Sequence, residues 1–215
     1  MMRETILALS NQRYYVGTEL DILKKFMSAN QEDIHFFQRT NELESDTKYI
    51  QPIPYVILVN GFDVLCYKRS DKNGDERLRG GISVGFGGHV NDHDIVLGGR
   101  MKSHIDLKGS IKRAAKREIF EETGVTIDPD KLFLVKILHN IDTPVNAVHL
   151  GLVFLCQVNN EKFDFNPDEI TSYWWSNIVD ATKSGKHMES WSNLAIHHIY
   201  ANNLLSTYQI ALEGM

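Results

Sequence analysis

Glu118, Glu121 and Glu122 are spaced i, i+3 and i+4, so on a helix all three carboxylates project from one side. Three like charges this close repel one another unless a cation neutralises them. A hard divalent ion with oxygen ligands resolves that repulsion, which makes metal-assisted chemistry the first expectation. The element that must position them is a helix over Gly109 to Val125. Ile111, Ala115 and Ile119 recur every four residues on a neighbouring face, a pattern that packs against a sheet. Asp106 or Ser110 is placed to cap its start, and Gly124 to end it in a left-handed turn.

The chain has 215 residues, enough for one elaborated domain with a substantial core. A formal charge of −5 argues against nucleic-acid polymers or membrane surfaces as partners bound through net charge. An acidic protein that handles phosphates then needs metal ions or locally placed Arg and Lys. Cys66 and Cys156, the two cysteines, lie in apolar strand-like runs and read as buried free thiols. The first residues hold too short an apolar run for a secretory leader, and no run approaches a transmembrane length, so a cytoplasmic location is expected.

Residues 1–50 read as a helical extension. Thr18 with Asp21 resembles a capping box, Leu20, Leu23, Phe26 and Met27 give a helical stripe, and a second short helix is expected around Ile34 and Phe37. Pro52 and Pro54 introduce a strand over Tyr55 to Val59, and Asn60-Gly61 turns it into a partner over Asp63 to Lys68. A glycine-studded strand follows over Gly80 to His89. Such glycine density marks tight bends or close backbone approach, and upstream of an acidic helix it favours phosphate access. Tyr67, Lys68, Arg69, Arg77 and Arg79 are candidates to pair with phosphate oxygens, and Gly87, Gly88 and His89 join the candidate substrate site. Residues 91 to 106 form a polar insertion placed to cover a substrate. Strands are expected over Leu132 to Leu138, over Asn146 to Val158 with His149 as a core or rim histidine, and over Glu169 to Trp175. The tail from Met188 to about Leu205 reads as an amphipathic helix with Trp191, Leu194, Ala195 and Ile199 on one side. The organisation expected is an extension over 1–50, a main domain over 51–182, and a closing helix and tail over 183–215.

Arg117-Glu118-apolar-any-Glu121-Glu122-any-Gly124-apolar resembles the second half of the Nudix box. Within that superfamily the chain is similar to a small bacterial group of predicted phosphoesterases of unassigned substrate, through Glu76-Arg-Leu, Gly87-Gly88-His89 and the late Glu189-Ser-Trp191-Ser. The resemblance implies an α/β/α sandwich with a mixed β-sheet over about Pro52 to Asp180. It also implies Mg²⁺ or Mn²⁺ held by Glu118, Glu121 and Glu122, with the Gly88 backbone contributing as well. The first half of the box departs from the pattern: Ser103 and Gly109 stand where the consensus has glycine and glutamate.

The implied reaction is hydrolysis of a phosphoanhydride in a nucleoside diphosphate derivative or similar diphosphate. Arg117 is expected to orient a box carboxylate, and either Glu122 or Glu169 to act as general base. Phe86, Tyr173 and Trp174 have the chemistry to stack on a base, with core packing the expected fate of each. Two rivals follow from the same resemblance: a catalytically silent Nudix domain that binds a nucleotide, and an isopentenyl-diphosphate isomerase-like enzyme, for which neither cysteine sits in a fitting motif. A homodimer is compatible with the sequence.

Overall fold

The computed structural model describes residues 5–10, 19–72, 79–99, 103–139, 147–159, 161–184 and 188–214. The side chains of Glu19, Leu20, Leu23 and Met27 lie outside that description, as do Thr18 and Arg77 entirely. In chain order the elements are β1 (Thr5–Ser10), α1 (Glu19–Met27), β2 (Ile34–Gln38), β3 (Tyr49–Asn60), β4 (Asp63–Arg69), β5 (Ile82–Ser83), β6 (Gly85–Phe86), β7 (Leu97–Gly98) and β8 (His104–Ile105). They continue with α2 (Leu107–Thr123), β9 (Phe133–Leu138), β10 (His149–Gln157), β11 (Ile170–Asn177), α3 (Ile178–Lys183), α4 (Ser190–Ala201) and α5 (Leu204–Glu213). The described residues fall into two compact units, one drawn from 1–54, 87–115 and 137–152, the other from 55–86, 116–136 and 153–215.

In the first unit, β1 pairs antiparallel with β2 from Thr5↔Gln38 to Leu9↔Ile34, and with the start of β3 through Leu9↔Ile50 and Ser10↔Tyr49. The segment expected to form a second short helix is therefore a strand. Ile-His-Phe-Phe-Gln is rich in β-branched and aromatic residues, and Ile34 is buried against its partner strand. The β3 strand also begins earlier than expected and contains Pro52 and Pro54. Neither proline can donate a ladder hydrogen bond, and both would donate toward the same edge. The β1 register stops at Ile50, just before them, while Gln51 on the alternate edge donates its backbone N–H to Val148 O at 2.7 Å. The described residues of the polar insertion are anchored. β7 pairs with β8, Gln31 bonds both the N–H and the C=O of Ile105, and Val96 N–H donates to Ser110 Oγ at 2.9 Å.

In the second unit, β4 lies between β11 and β5, and the far part of β3 pairs with β6 and β4, all antiparallel. Ile82 and Met188 add a parallel bridge, so the strand pairing is mixed. The run Val56 to Val59 and the residues Val64, Leu65 and Tyr67 are buried and form this unit's core with Phe86, Val153 and Leu155. The tail holds two helices rather than one. Asn203 sits in the left-handed region at φ 52 between α4 and α5, a conformation asparagine tolerates better than most side chains. Ser192, Ala195, Ile196 and Ile199 form the buried side of α4, whereas Leu194, expected on that side, is 47% exposed. On α5, Leu205 and Tyr208 are buried, and the Tyr208 hydroxyl donates to Lys131 O and accepts from Gln157 N–H. Among the described residues no helix is long and apolar enough to cross a membrane.

Candidate active site

Helix α2 starts where Asp106 accepts the Gly109 N–H at 2.9 Å, which selects Asp106 over Ser110 as the cap. It stops because Gly124 adopts φ +72 while its N–H still reaches Phe120 O at 2.9 Å. A Cβ on Gly124 would also crowd Asp164 at 3.1 Å. Ile111, Ala114, Ala115 and Ile119 are buried, so the apolar face expected from the sequence is the face that packs. This fixes the rotation of the helix and directs the acidic face away from the core.

On that face Arg117 Nη1 donates to Glu118 Oε1 at 2.7 Å and to Glu121 Oε2 at 2.9 Å. The Glu118 side chain is mostly buried and that of Glu121 more than half exposed. Glu122 is half-buried. Part of the mutual repulsion among the glutamates is thus relieved from within the chain by Arg117, a neutralisation that the acid spacing alone did not disclose. One guanidinium also fixes two carboxylates relative to each other.

Arg69, expected to meet phosphate, is largely buried and donates from Nε to Glu189 Oε1. Its guanidinium lies 5.3 Å from the centroid of the Tyr67 ring. Burial opposes its charge, but Tyr67, Glu189 and Glu122 more than offset this and hold it firmly cationic. Burial also drives the Tyr67 hydroxyl well above the usual phenol range, with Arg69 opposing and Glu122 adding to the rise. Arg69, Tyr67 and Glu122 are thus electrostatic neighbours. Glu189 balances Arg69, and Arg117 balances one of Glu118 and Glu121. The donors are hard carboxylate oxygens, the ligand type that Mg²⁺ and Mn²⁺ prefer.

The late Glu189-Ser-Trp-Ser motif ties α4 to the strands. Glu189 N–H donates to Ile82 O at 2.9 Å. Ser192 Oγ lies 2.7 Å from Tyr55 Oη and 3.1 Å from Ser83 Oγ, and accepts the Val84 N–H at 3.2 Å. Trp191 meets the Tyr55 ring edge-on. The glycines of this region divide by role. Gly85 is required by packing, because a Cβ there would run into the Tyr55 ring, so phosphate access does not explain it.

The other sequence candidates fall in different places. Arg79 and Lys68 are exposed on the second unit, and Glu169 is exposed on a turn where its backbone C=O accepts from Ser70 N–H. Gly87, Gly88 and His89 belong to the first unit. His89 is 8% exposed, with Nε2 3.2 Å from His149 Nε2. Phe86 is fully buried and stacks on Tyr67 at 4.5 Å, as core packing predicts. Tyr173 and Trp174 depart from that expectation, being 47% and 38% exposed on β11. A row of rings runs from Tyr67 through Phe86 and Phe165 to Tyr173, with Phe163 beside it. Cys66 and Cys156 are buried free thiols, each pushed up to about 12 by burial.

No protein-family model matches the chain. It is 25% identical over 163 residues to Protein YmaB of Bacillus subtilis, covering 74% of this chain and 75% of that protein. The crystal structure of Tm1382, described as a candidate Nudix hydrolase, superposes with a TM-score of 0.61 at 24% identity, covering 94% of this chain and 100% of that one. DR0079 of Deinococcus radiodurans gives a TM-score of 0.53 at 17% identity, covering 80% of this chain and 96% of that one. A MutT Nudix hydrolase of Burkholderia pseudomallei gives 0.50 at 19% identity, covering 69% and 97%. The fold is therefore the Nudix α/β/α sandwich with a mixed sheet, closed by a helical C-terminal part.

Proposed function

We propose that this chain, built on the Nudix fold, is a metal-dependent hydrolase that cleaves the phosphoanhydride bond of a nucleoside diphosphate derivative. The observation that carries the proposal is the joined set of Arg117, Glu118 and Glu121 beside Glu122, on the helix that a Nudix fold devotes to chemistry. Glu118, Glu121 and Glu122 would hold Mg²⁺ or Mn²⁺. Such an ion supplies charge neutralisation on the diphosphate and acidifies water. Arg117 orients two of the carboxylates. Glu122, half-buried beside Arg69, is favoured over the exposed Glu169 to take the proton from the attacking water. Water oxygen bonds to one phosphorus, the bridging P–O bond breaks, and two phosphate products leave.

Arg69 is committed to Glu189, so its role is to hold the local charge pattern, and the exposed Arg79 and Lys68 are the proposed contacts for phosphate oxygens. The exposed ring of Tyr173, at the end of the aromatic row, offers a face for a nucleobase. In this reading residues 51–182 are the catalytic domain, 1–50 and 183–215 brace it, and the protein works in the cytoplasm.

A silent nucleotide-binding domain is the second reading, favoured by Ser103 and Gly109 at the departed positions of the box. An isomerase route is disfavoured by the high, buried thiols of Cys66 and Cys156. The test is hydrolysis of a panel of nucleoside diphosphate sugars, dinucleoside polyphosphates and nucleoside triphosphates with Mg²⁺ and Mn²⁺. Turnover lost in Glu121→Gln and Glu122→Gln supports the enzyme. Nucleotide binding with no turnover of any compound supports the silent domain.

A further inference from the structure

The first unit contains a second constellation that the proposed hydrolase chemistry leaves unused. Glu44 lies on the short helical turn Leu43–Ser45, His89 follows β6, and His149 opens β10. Their ligand atoms converge. His89 Nε2 is 3.2 Å from His149 Nε2, His149 Nε2 is 3.4 Å from Glu44 Oε2, and His89 Nε2 is 3.9 Å from Glu44 Oε1. Both imidazoles are buried, and the carboxylate is mostly so.

The spacing discriminates between a polar cluster and an ion site. A charge-assisted bond between imidazolium and carboxylate closes to about 2.7–2.9 Å. Neither ring comes that near to Glu44, although the carboxylate faces both. Ligands at about 2.0–2.1 Å from a tetrahedral ion are separated from each other by about 3.3 Å. The distances of 3.2 Å between the imidazoles and 3.4 Å from His149 to Glu44 Oε2 meet that value, while the other carboxylate oxygen, Oε1, lies 3.9 Å from His89 Nε2.

The backbone holds the three donors in place. Gln51 spans two of them: its N–H donates to Val148 O, adjoining His149, and its side-chain Nε2 donates to Leu43 O, adjoining Glu44. The third is held by Leu7 N–H, which donates to Val90 O next to His89 at 2.7 Å. Arg39 Nε bonds Glu44 Oε1 at 2.9 Å, which directs Oε2 toward His149. An oriented carboxylate of this kind is the outer support that metal ligands receive from their neighbours.

We infer that Glu44, His89 and His149 form a binding site for one borderline first-row dication, with Zn²⁺ the ion the donor set fits best. Two imidazoles and a carboxylate select such a metal over Mg²⁺, whose preference is for oxygen alone. Three protein ligands leave a fourth position open, so the site is able to hold water or a small anion. His89 is thereby reassigned from a substrate contact to a metal ligand. The inference is independent of the hydrolase proposal, because it rests on a different unit and different donors.

The test uses the full chain carrying Glu121→Gln and Glu122→Gln, which removes the box carboxylates, titrated calorimetrically with Zn²⁺ alone. One equivalent is expected to bind, weakened by about 100-fold or more in His89→Gln or His149→Gln and by about 10-fold in Glu44→Gln. X-ray absorption on the Zn²⁺-loaded wild-type chain needs no substitution, and its signal is expected to contain two imidazoles with oxygen and no sulfur. A zinc sphere without imidazole, binding unchanged by His149→Gln, or no Zn²⁺ bound by the wild-type chain would each overturn the inference.

Discussion

The Arg69–Glu189 pair is the interaction whose removal the structure prices most clearly. Only 17% of the Arg69 side chain and 11% of the Glu189 side chain reach solvent. Glu189→Gln keeps the shape but leaves a buried guanidinium without its main counter-charge. Breaking a buried pair from one side costs about 3–5 kcal/mol. Glu122 remains as a weaker partner for Arg69, which lowers the expected cost to about 2–3 kcal/mol. In a chain of this size each kcal/mol moves the midpoint about 2–4 °C, so Tm should fall by roughly 5–10 °C. Arg69→Met should cost less, about 1–2 kcal/mol, because Glu189 stands at the start of α4 where the helix dipole favours an anion. The double variant should recover at least about 1 kcal/mol of the summed single losses. Urea unfolding of the four proteins, followed by circular dichroism, measures the cycle. A Glu189→Gln loss under about 0.5 kcal/mol, or strict additivity, would show that the charges are solvated and would refute this view of the pair.

Three further outcomes follow from other contacts. Arg117→Ala should lower kcat/KM for any substrate found by about 10–100-fold, since two carboxylates lose their common anchor, and steady-state kinetics will read it. Ser192→Ala removes a buried hydroxyl that serves Tyr55, Ser83 and Val84, and should cost about 1–3 kcal/mol in a denaturant titration. Stability should also decline in alkali. Cys66 and Cys156 hold their protons to about 12 when folded, against about 8.5 in an unfolded chain, so their contribution is complete below about pH 8.5 and is lost as pH rises toward 12. Each thiol then costs up to about 1.4 kcal/mol per pH unit, and urea midpoints at pH 8, 9.5 and 10.5 should fall in that order.

The helix at the heart of the site was readable because its evidence is local. Cap, apolar face, acidic face and terminating glycine all lie within one short stretch, and α2 uses each as its spacing implies. What escaped depends on distant partners. Ile34 and Phe37 fit a helical spacing, but β1 offers an open edge, and strand pairing wins. Leu194 fits the apolar stripe of α4, yet Ser192 takes the buried side because three polar groups wait for it there. The second tail helix was hidden because its break is an asparagine and not a glycine or proline. Arg69 looked like a phosphate ligand because its partner, Glu189, lies 120 positions away. The group of Glu44, His89 and His149 had no signature at all, since its three members come from separate parts of the chain.

The proposed role of Glu118, Glu121 and Glu122 is to serve water attack on a diphosphate. It is tested most directly by phosphorus NMR of a nucleoside diphosphate sugar incubated with the protein and Mg²⁺ in ¹⁸O-enriched water. Two phosphomonoester products are expected, one of them carrying a single ¹⁸O, and no such product from Glu122→Gln protein of unchanged circular dichroism. Label appearing equally with the Glu122→Gln protein, or the P–O–P bond surviving in every diphosphate of the panel, would contradict it.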